Sequence, residues 1–440
     1  FKAPEEWTII SNGPMSWDGD VASTAIDYPL STYLVALCAG PYHEVTDTWR
    51  GELTAHPEGK PAQKLEVPLG IYCRASLAHA LDAERLFTET KQGFDFYHRN
   101  FGFPYPFGKY DQIFVPEFNA GAMENAGCVT IRDEYVFTSQ ATHYKYERRA
   151  DTVLHELAHM WFGDLVTMQW WDDLWLNESF ATWSAAISQA EETEYDTAWV
   201  TFANVEKSWA YQQDQLPTTH PISTDASDIE TVEQNFDGIT YAKGASVLKQ
   251  LQAYVGRDNF LAGVRRHFAA HAWGNATFDD LLRHLEEASG RDLSFWAQQW
   301  LKTSGINTLS VALNADESGN ITHAYLTQSG DTLRTHRVAV GLYNLRDGKV
   351  VRTDRIEMDI DDASTEIPEL IGRQLADIDF LLPNDDDLTY CLIELDPGSL
   401  QFLLDNIDKF ADPMARTLCW STAWEMTRAG TMRARDFIQL

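Results

Sequence analysis

His155, Glu156, Leu157, Ala158 and His159 stand together, and eighteen intervening residues separate them from Glu178, inside Asn177–Phe180. Two histidines four residues apart lie on one face of an α-helix, where both imidazoles can close on one small cation. The spacing therefore demands a helix here and a second element that brings a third ligand to it. Arg148 to Phe162 reads as that helix, with Val153, Leu154, Leu157, Ala158 and Trp161 as apolar positions and Gly163 as its stop. A second helix is expected from Asn177 through Phe180, Trp183 and Ile187, carrying Glu178 in its first turn. A surface helix with solvated histidines would show the same five residues, but an apolar surface this wide means burial, and buried imidazoles need partners. Two imidazoles and a carboxylate, with a fourth position left to water, are the ligand set of a catalytic zinc ion, which lowers the pKa of that water. Glu156, next to His155 and expected to point elsewhere on the helix, is placed to accept the water proton and pass it to a leaving amine.

The length of 440 residues exceeds one compact core, and roughly two to four domains are expected. With 44% hydrophobic and 12% aromatic residues, a large core is available. A formal net charge of −32 argues against nucleic-acid and anionic-membrane partners, and it suits solubility and cationic groups such as a peptide α-ammonium. Five cysteines, at 38, 73, 128, 391 and 419, form no CxxC pair, so a reducing, cytoplasmic setting is expected rather than a disulfide framework. Cys128, flanked by Gly127 and Val129, reads as part of a buried strand. No apolar run reaches membrane-spanning length, Tyr28 to Gly40 being too short and interrupted. The chain opens at Phe1 without a signal peptide, and we expect it to be cut from a longer precursor.

Residues 1–43 read as short strands and residues 44–305 as mixed and then strongly helical. Leu77 to Tyr97 is a long helix candidate, and Tyr110 to Phe114 and Val129 to Val136 are strand candidates. Helices are expected over Tyr241 to Tyr254, ending at Gly256, and over Leu293 to Lys302, and Thr277 with Asp280 resembles a capping box. Leu309 to Phe380 alternates apolar and polar residues, with Asp347-Gly348 as a hairpin turn, and reads as a small β-sandwich. Asn384 to Asp387 reads as a solvated acidic linker ahead of a helical tail from Gly398.

Two further segments bear on chemistry. Gly121, Ala122, Met123, Glu124 and Asn125 combine small residues, which let a backbone approach an extended ligand, with one carboxylate; composition alone leaves this open between a site and a surface loop. Tyr241, in Tyr241-Ala242-Lys243-Gly244, could donate to an oxyanion, although a tyrosine taken alone is more often a packing residue.

Together the GAMEN, HELAH and YAKG motifs, the spacing to Glu178 and the WFGDLVTMQWW stretch at 161–171 resemble the M1 family of zinc aminopeptidases, the aminopeptidase N group. The resemblance implies a multidomain α+β fold: a partial N-terminal β domain (1–43), a thermolysin-like catalytic domain (44–305), a β-sandwich (306–388) and the start of a C-terminal helical domain (389–440). It implies one Zn2+ held by His155, His159 and Glu178, with Glu156 as general base and Tyr241 stabilising the tetrahedral intermediate. Glu124 would bind the substrate's free α-amino group, and its neighbours Gly121 to Asn125 would line the backbone path. Peptides with a free N-terminus are the implied substrates, and a monomer is expected. Ala126 stands where many members carry Trp, which bears on local packing. An epoxide hydrolase relative, an inert truncated peptide-binding fragment and a thermolysin-like endopeptidase are the alternatives; Ala122, the intact ligands and base, and the GAMEN segment respectively speak against them. Asp164, Asp172 and Asp173 are candidates to hold the zinc histidines.

Overall fold

The computed structural model describes residues 1–56 and 60–440. They form two compact units, Phe1–Ala198 with Asp258–Gly290, and Trp199–Arg257 with Arg291–Leu440.

The first unit begins with short strands, Thr8–Ser11 paired with Leu37–Gly40 and Met15–Asp18 paired with Val21–Thr24. Its main sheet has five strands in the spatial order Tyr42–Leu53, Gln63–Arg74, Tyr110–Val115, Cys128–Arg132, Ala122–Met123. The outer pairs are antiparallel and the inner pairs parallel. Gln63–Arg74 alternates between buried and exposed up to Pro68, then is buried without a break from Leu69 to Cys73, where Tyr110 begins to pair with it. A strand covered on both faces loses its polar alternation. The second expected strand ends at Arg132, because Asp133–Tyr135 turns into a 3-10 helix; Cys128 is fully buried in it, as expected.

Helices α1 (Ala83–Phe101) and α2 (His143–His159) pack beside this sheet, and α3 (Leu174–Glu192) packs on both of them. The first starts six residues later than its apolar pattern suggests, since Ala75–Ala80 forms a separate 3-10 turn, and it ends at Gly102 in the left-handed conformation. Gly93 sets the approach of α1 to α2: a β-carbon there would lie 2.5 Å from Leu154 Cδ2 and 2.9 Å from Leu157 Cδ2. Helix α2 begins five residues before the expected Arg148, with Thr142 as its N-cap accepting from the Lys145 amide, and ends at His159 rather than Phe162. Helix α3 also begins early, at Leu174 after a 3-10 turn over Trp171–Asp173, so Glu178 lies in its second turn and not its first. Nearly all of α3 is buried, and Ala181, Ser184, Ala185 and Ser188 keep its girth small. The capping box of Thr277 and Asp280 is formed and opens helix Phe278–Ser289.

In the second unit, Thr308–Ala315 and Ile321–Ser329, with Ser364–Glu366 and Leu392–Ile393, make a four-stranded sheet. His336–Arg346, Lys349–Ile360 and Phe380–Pro383 make a three-stranded one. The two share one core, with Leu309, Leu326, Val338, Val340, Leu342 and Ile356 buried together. Arg346 pairs with Lys349 across Asp347 and Gly348, both at positive φ, which is the two-residue hairpin turn expected there. The expected helix over Tyr241 to Tyr254 is a π-helical turn, Ile239–Lys243, running into α-helix Gly244–Val255. The expected helix from Leu293 is shorter, Trp296–Leu301.

The acidic stretch is not a solvated linker. Asn384, Asp385 and Asp387 are buried. Asp385 accepts from the Tyr343 hydroxyl at 2.6 Å and from Arg352 at 2.8 Å, and Asp386 pairs with Arg352 and Arg355. Asp387 pairs with the buried Lys207 ammonium at 2.5 Å. Partners distant in sequence reverse the expectation from local composition. The helical tail follows as Pro397–Asn406, Pro413–Ala429 and Ala434–Gln439. Among the described residues no helix is long and apolar enough to cross a membrane.

Candidate metal centre

The last turns of α2 and the second turn of α3 face each other, and three side-chain atoms meet there. His155 Nε2 and His159 Nε2 are 3.1 Å apart, and Glu178 Oε2 lies 3.3 Å from the first and 3.5 Å from the second. Ligands bound tetrahedrally at about 2.0–2.1 Å stand about 3.3 Å from one another, so this triangle has the dimensions of one face of a zinc tetrahedron. All three side chains are largely or wholly buried.

The outer nitrogens of the rings are also held. His159 Nδ1 pairs with the Phe162 carbonyl at 3.1 Å, and His155 Nδ1 lies 3.4 Å from the Thr182 hydroxyl. With Nε2 turned to a cation, Nδ1 carries the hydrogen and donates outward, which fixes tautomer and ring orientation. The three expected aspartates lie in different surroundings. Asp172 is exposed, and Asp173 accepts the Phe278 amide at 3.1 Å. Asp164 is buried near His159, but neither of its carboxylate oxygens has a hydrogen-bond partner.

Two more carboxylates crowd the centre. Glu124, Glu156 and His159 bring ligand-type atoms within 4.8 Å of one another. Glu156 therefore turns inward to the same cluster rather than away from it; it is buried, and its Oε2 has no hydrogen-bond partner. Burial, then the neighbouring Glu124, raises the Glu156 carboxyl well above its usual range. Burial likewise raises Glu124, against the pull of His159, and raises Asp164 with Glu124 adding to it. Burial also works to raise Glu178, but the His159 imidazole and hydrogen bonds from both rings outweigh it and hold this carboxyl low. His155 is shifted down by burial, whereas in His159 the carboxylates Glu124 and Glu178 overcome burial and raise it. Four buried acids around two imidazoles, with unpartnered oxygens among them, form a cradle suited to a divalent cation.

Glu124 arrives from the edge of the main sheet. Ala122–Met123 pairs on one side with Cys128–Arg132, Ala122 opposite Ile131 and Met123 opposite Thr130. Gly121 is exposed, Ala122 and Met123 are half-buried, and Glu124 and Asn125 are buried. Asn125 shapes the return turn: its side chain donates to the Cys128 carbonyl and the Thr130 hydroxyl, and its carbonyl accepts from the Cys128 amide at 2.8 Å. Ala126 is completely buried.

Tyr241 belongs to the second unit, in the π-helical turn Ile239–Lys243, half-buried with its ring stacked 6.5 Å from Trp209. Tyr33, which no motif marks, reaches the first unit's cluster. Its hydroxyl is buried without a hydrogen-bond partner, and burial, with Glu124, Asp164 and Glu178 nearby, raises its pKa well above the ordinary value. Thr182 did carry a signal, being four residues beyond Glu178 and so on the same face of α3.

A family model described as the peptidase family M1 domain matches residues 86–300, which hold every motif named above, and an ERAP1-like C-terminal domain matches residues 380–440. The chain belongs to peptidase family M1. It is 51% identical to aminopeptidase N of Streptomyces lividans along its whole length, which covers 51% of that protein. It is 36% identical to leucyl aminopeptidase of Saccharolobus solfataricus over 70% of this chain and 38% of that protein. With aminopeptidase 2 of Candida albicans the identity is 35%, over 66% of this chain and 29% of the relative. The chain thus spans between about three tenths and about half of the length of these relatives.

Proposed function

We propose that this chain carries the catalytic centre of a zinc-dependent aminopeptidase that hydrolyses the N-terminal peptide bond of peptides. The observation that carries the reading is the 3.1–3.5 Å triangle of His155, His159 and Glu178 with two acids, Glu124 and Glu156, against it. His155, His159 and Glu178 would hold one zinc ion per chain. The chemistry supplied by that ion, when bound, is polarisation of a water and of the scissile carbonyl. Glu156, with its raised pKa and free oxygen, takes the proton of the attacking water and returns it to the leaving amine. Glu124 pairs with the substrate α-ammonium. A buried carboxylate is satisfied by such a charge one residue from the scissile bond and left unpaired by an internal peptide segment, which is the physical basis of exopeptidase action. Gly121 to Asn125 line the backbone path, and Ala122–Met123, an edge strand, can accept main-chain hydrogen bonds from an extended peptide. Tyr241 is the proposed donor to the tetrahedral oxyanion.

The same proposal takes the catalytic region as thermolysin-like within the four-part division at residues 43, 305 and 388, and the protein as a cytoplasmic monomer. A panel of aminoacyl reporter amides, free and N-acetylated, with and without chelator, tests it. Cleavage of the free amides alone, abolished by chelator and restored by zinc, is the expected result. Equal cleavage of acetylated substrates, or chelator-resistant turnover, would overturn it.

A further inference from the structure

A second set of metal-type ligands lies outside the centre just described. Helix Arg257–His271 carries His267 and His271 four residues apart, so both rings leave one face. Helix Phe278–Ser289, started by the Thr277 capping box, presents His284 to them. The helices approach closely, since a β-carbon on Gly263 would lie 2.6 Å from Leu285 Cδ2. One ring nitrogen from each histidine falls within 4.8 Å of the others, and His271 Nε2 stands 3.4 Å from His284 Nε2, close to the edge of a tetrahedral coordination sphere.

Hydrogen bonding accounts for the cluster only in part, through the contact between His271 Nε2 and His284 Nε2. His267 is 1% exposed and its Nδ1 has no hydrogen-bond partner; the Nδ1 of His284 is likewise buried without one, the Glu287 carboxylate standing 3.6 Å away. A core that only needed filling would be cheaper with apolar side chains. The rings are nevertheless fixed: His267 stacks on Phe162 at 5.5 Å and 14°. Burial and the two neighbouring histidines drive the His267 pKa down to about 3, and burial lowers that of His284.

We propose that His267, His271 and His284 form a second, structural site for a zinc-class transition metal, clamping these two helices, with the fourth position left to water. Three imidazole ligands suit zinc, copper or nickel rather than calcium or magnesium. The site abuts the proposed catalytic centre through one residue: the Phe162 carbonyl accepts from His159, while the Phe162 ring lies on His267.

The test is metal stoichiometry in the full chain, stripped with chelator, dialysed against Zn2+ and counted by mass spectrometry. Two equivalents are expected in the parent. One is expected in His271→Ala and in His284→Ala, and one in His155→Ala/His159→Ala, with native circular dichroism in each. A parent that binds a single equivalent lost on replacing His155 and His159 overturns the proposal. So does a second equivalent that survives both His271→Ala and His284→Ala. A single equivalent lost in His271→Ala but kept in the His155/His159 variant would sink the catalytic reading instead, so the two failures are distinguishable.

Discussion

Gly163→Ala should loosen the metal centre without touching a ligand. Gly163 has φ +130°, a region that favours glycine, and a β-carbon on it would lie 3.2 Å from His159 Nδ1 and 3.5 Å from the His159 carbonyl. Two penalties follow. Forcing alanine into this backbone conformation costs about 1–3 kcal/mol of stability. The methyl group also presses on the ring nitrogen that donates to Phe162, so the imidazole must shift by a few tenths of an ångström and its outward hydrogen bond is strained. Loss of such a partner typically lowers metal affinity about tenfold to a hundredfold. Gly108→Ala separates the two effects. Gly108 also has positive φ, +77°, but has open space around its missing β-carbon. It should lose about 1–2 kcal/mol in urea unfolding and leave zinc affinity, measured by chelator competition, unchanged. If Gly163→Ala held zinc as tightly as the parent, His159 would not be the crowded, oriented ligand described above.

Glu156→Gln should keep zinc stoichiometry while lowering kcat by about 10²–10⁴, and full turnover would remove Glu156 as the base. Glu124→Gln should raise KM for substrates with a free amino terminus about tenfold to a hundredfold, the worth of a charge-assisted hydrogen bond. An unchanged preference for free over acetylated substrates would refute the ammonium anchor. His98 is fully buried, and burial drives its pKa from 6.5 down to about 4. The unfolded chain therefore takes up this proton first as pH falls, and stability drops between about pH 6.5 and 4, by up to about 3 kcal/mol from this residue. In urea unfolding at pH 7 and pH 4.5, His98→Gln should show a correspondingly smaller loss; an equal loss would reassign it.

Residues that act through local spacing were legible, and those that act through tertiary pairing were not. The i, i+4 rule placed His155 and His159 together, and Glu178 needed only to lie on a neighbouring helix. Helix starts were missed where polar turns lead into apolar runs. His143 to Glu147 carries few apolar positions, so only the Thr142 cap marks the beginning of α2. A 3-10 turn hides the start of α3 in the same way. Tyr33 could not have been found, because its meeting with Glu124 and Asp164 depends on how residues 1–43 fold back on the unit. His267 and His271 did carry the spacing signal, but without a flanking motif it passes for two ordinary helix residues.

The buried acidic turn constrains anyone who would shorten this polypeptide. A cut ahead of Asn384 would strip Lys207 of its carboxylate at 2.5 Å and Tyr343 of its acceptor, leaving an ammonium and a phenol stranded in a dry interior. Removing one member of such a pair costs about 3–5 kcal/mol, a large fraction of what holds a domain together. The aspartates that look like a seam in the sequence act as a rivet, and useful truncations belong on its far side.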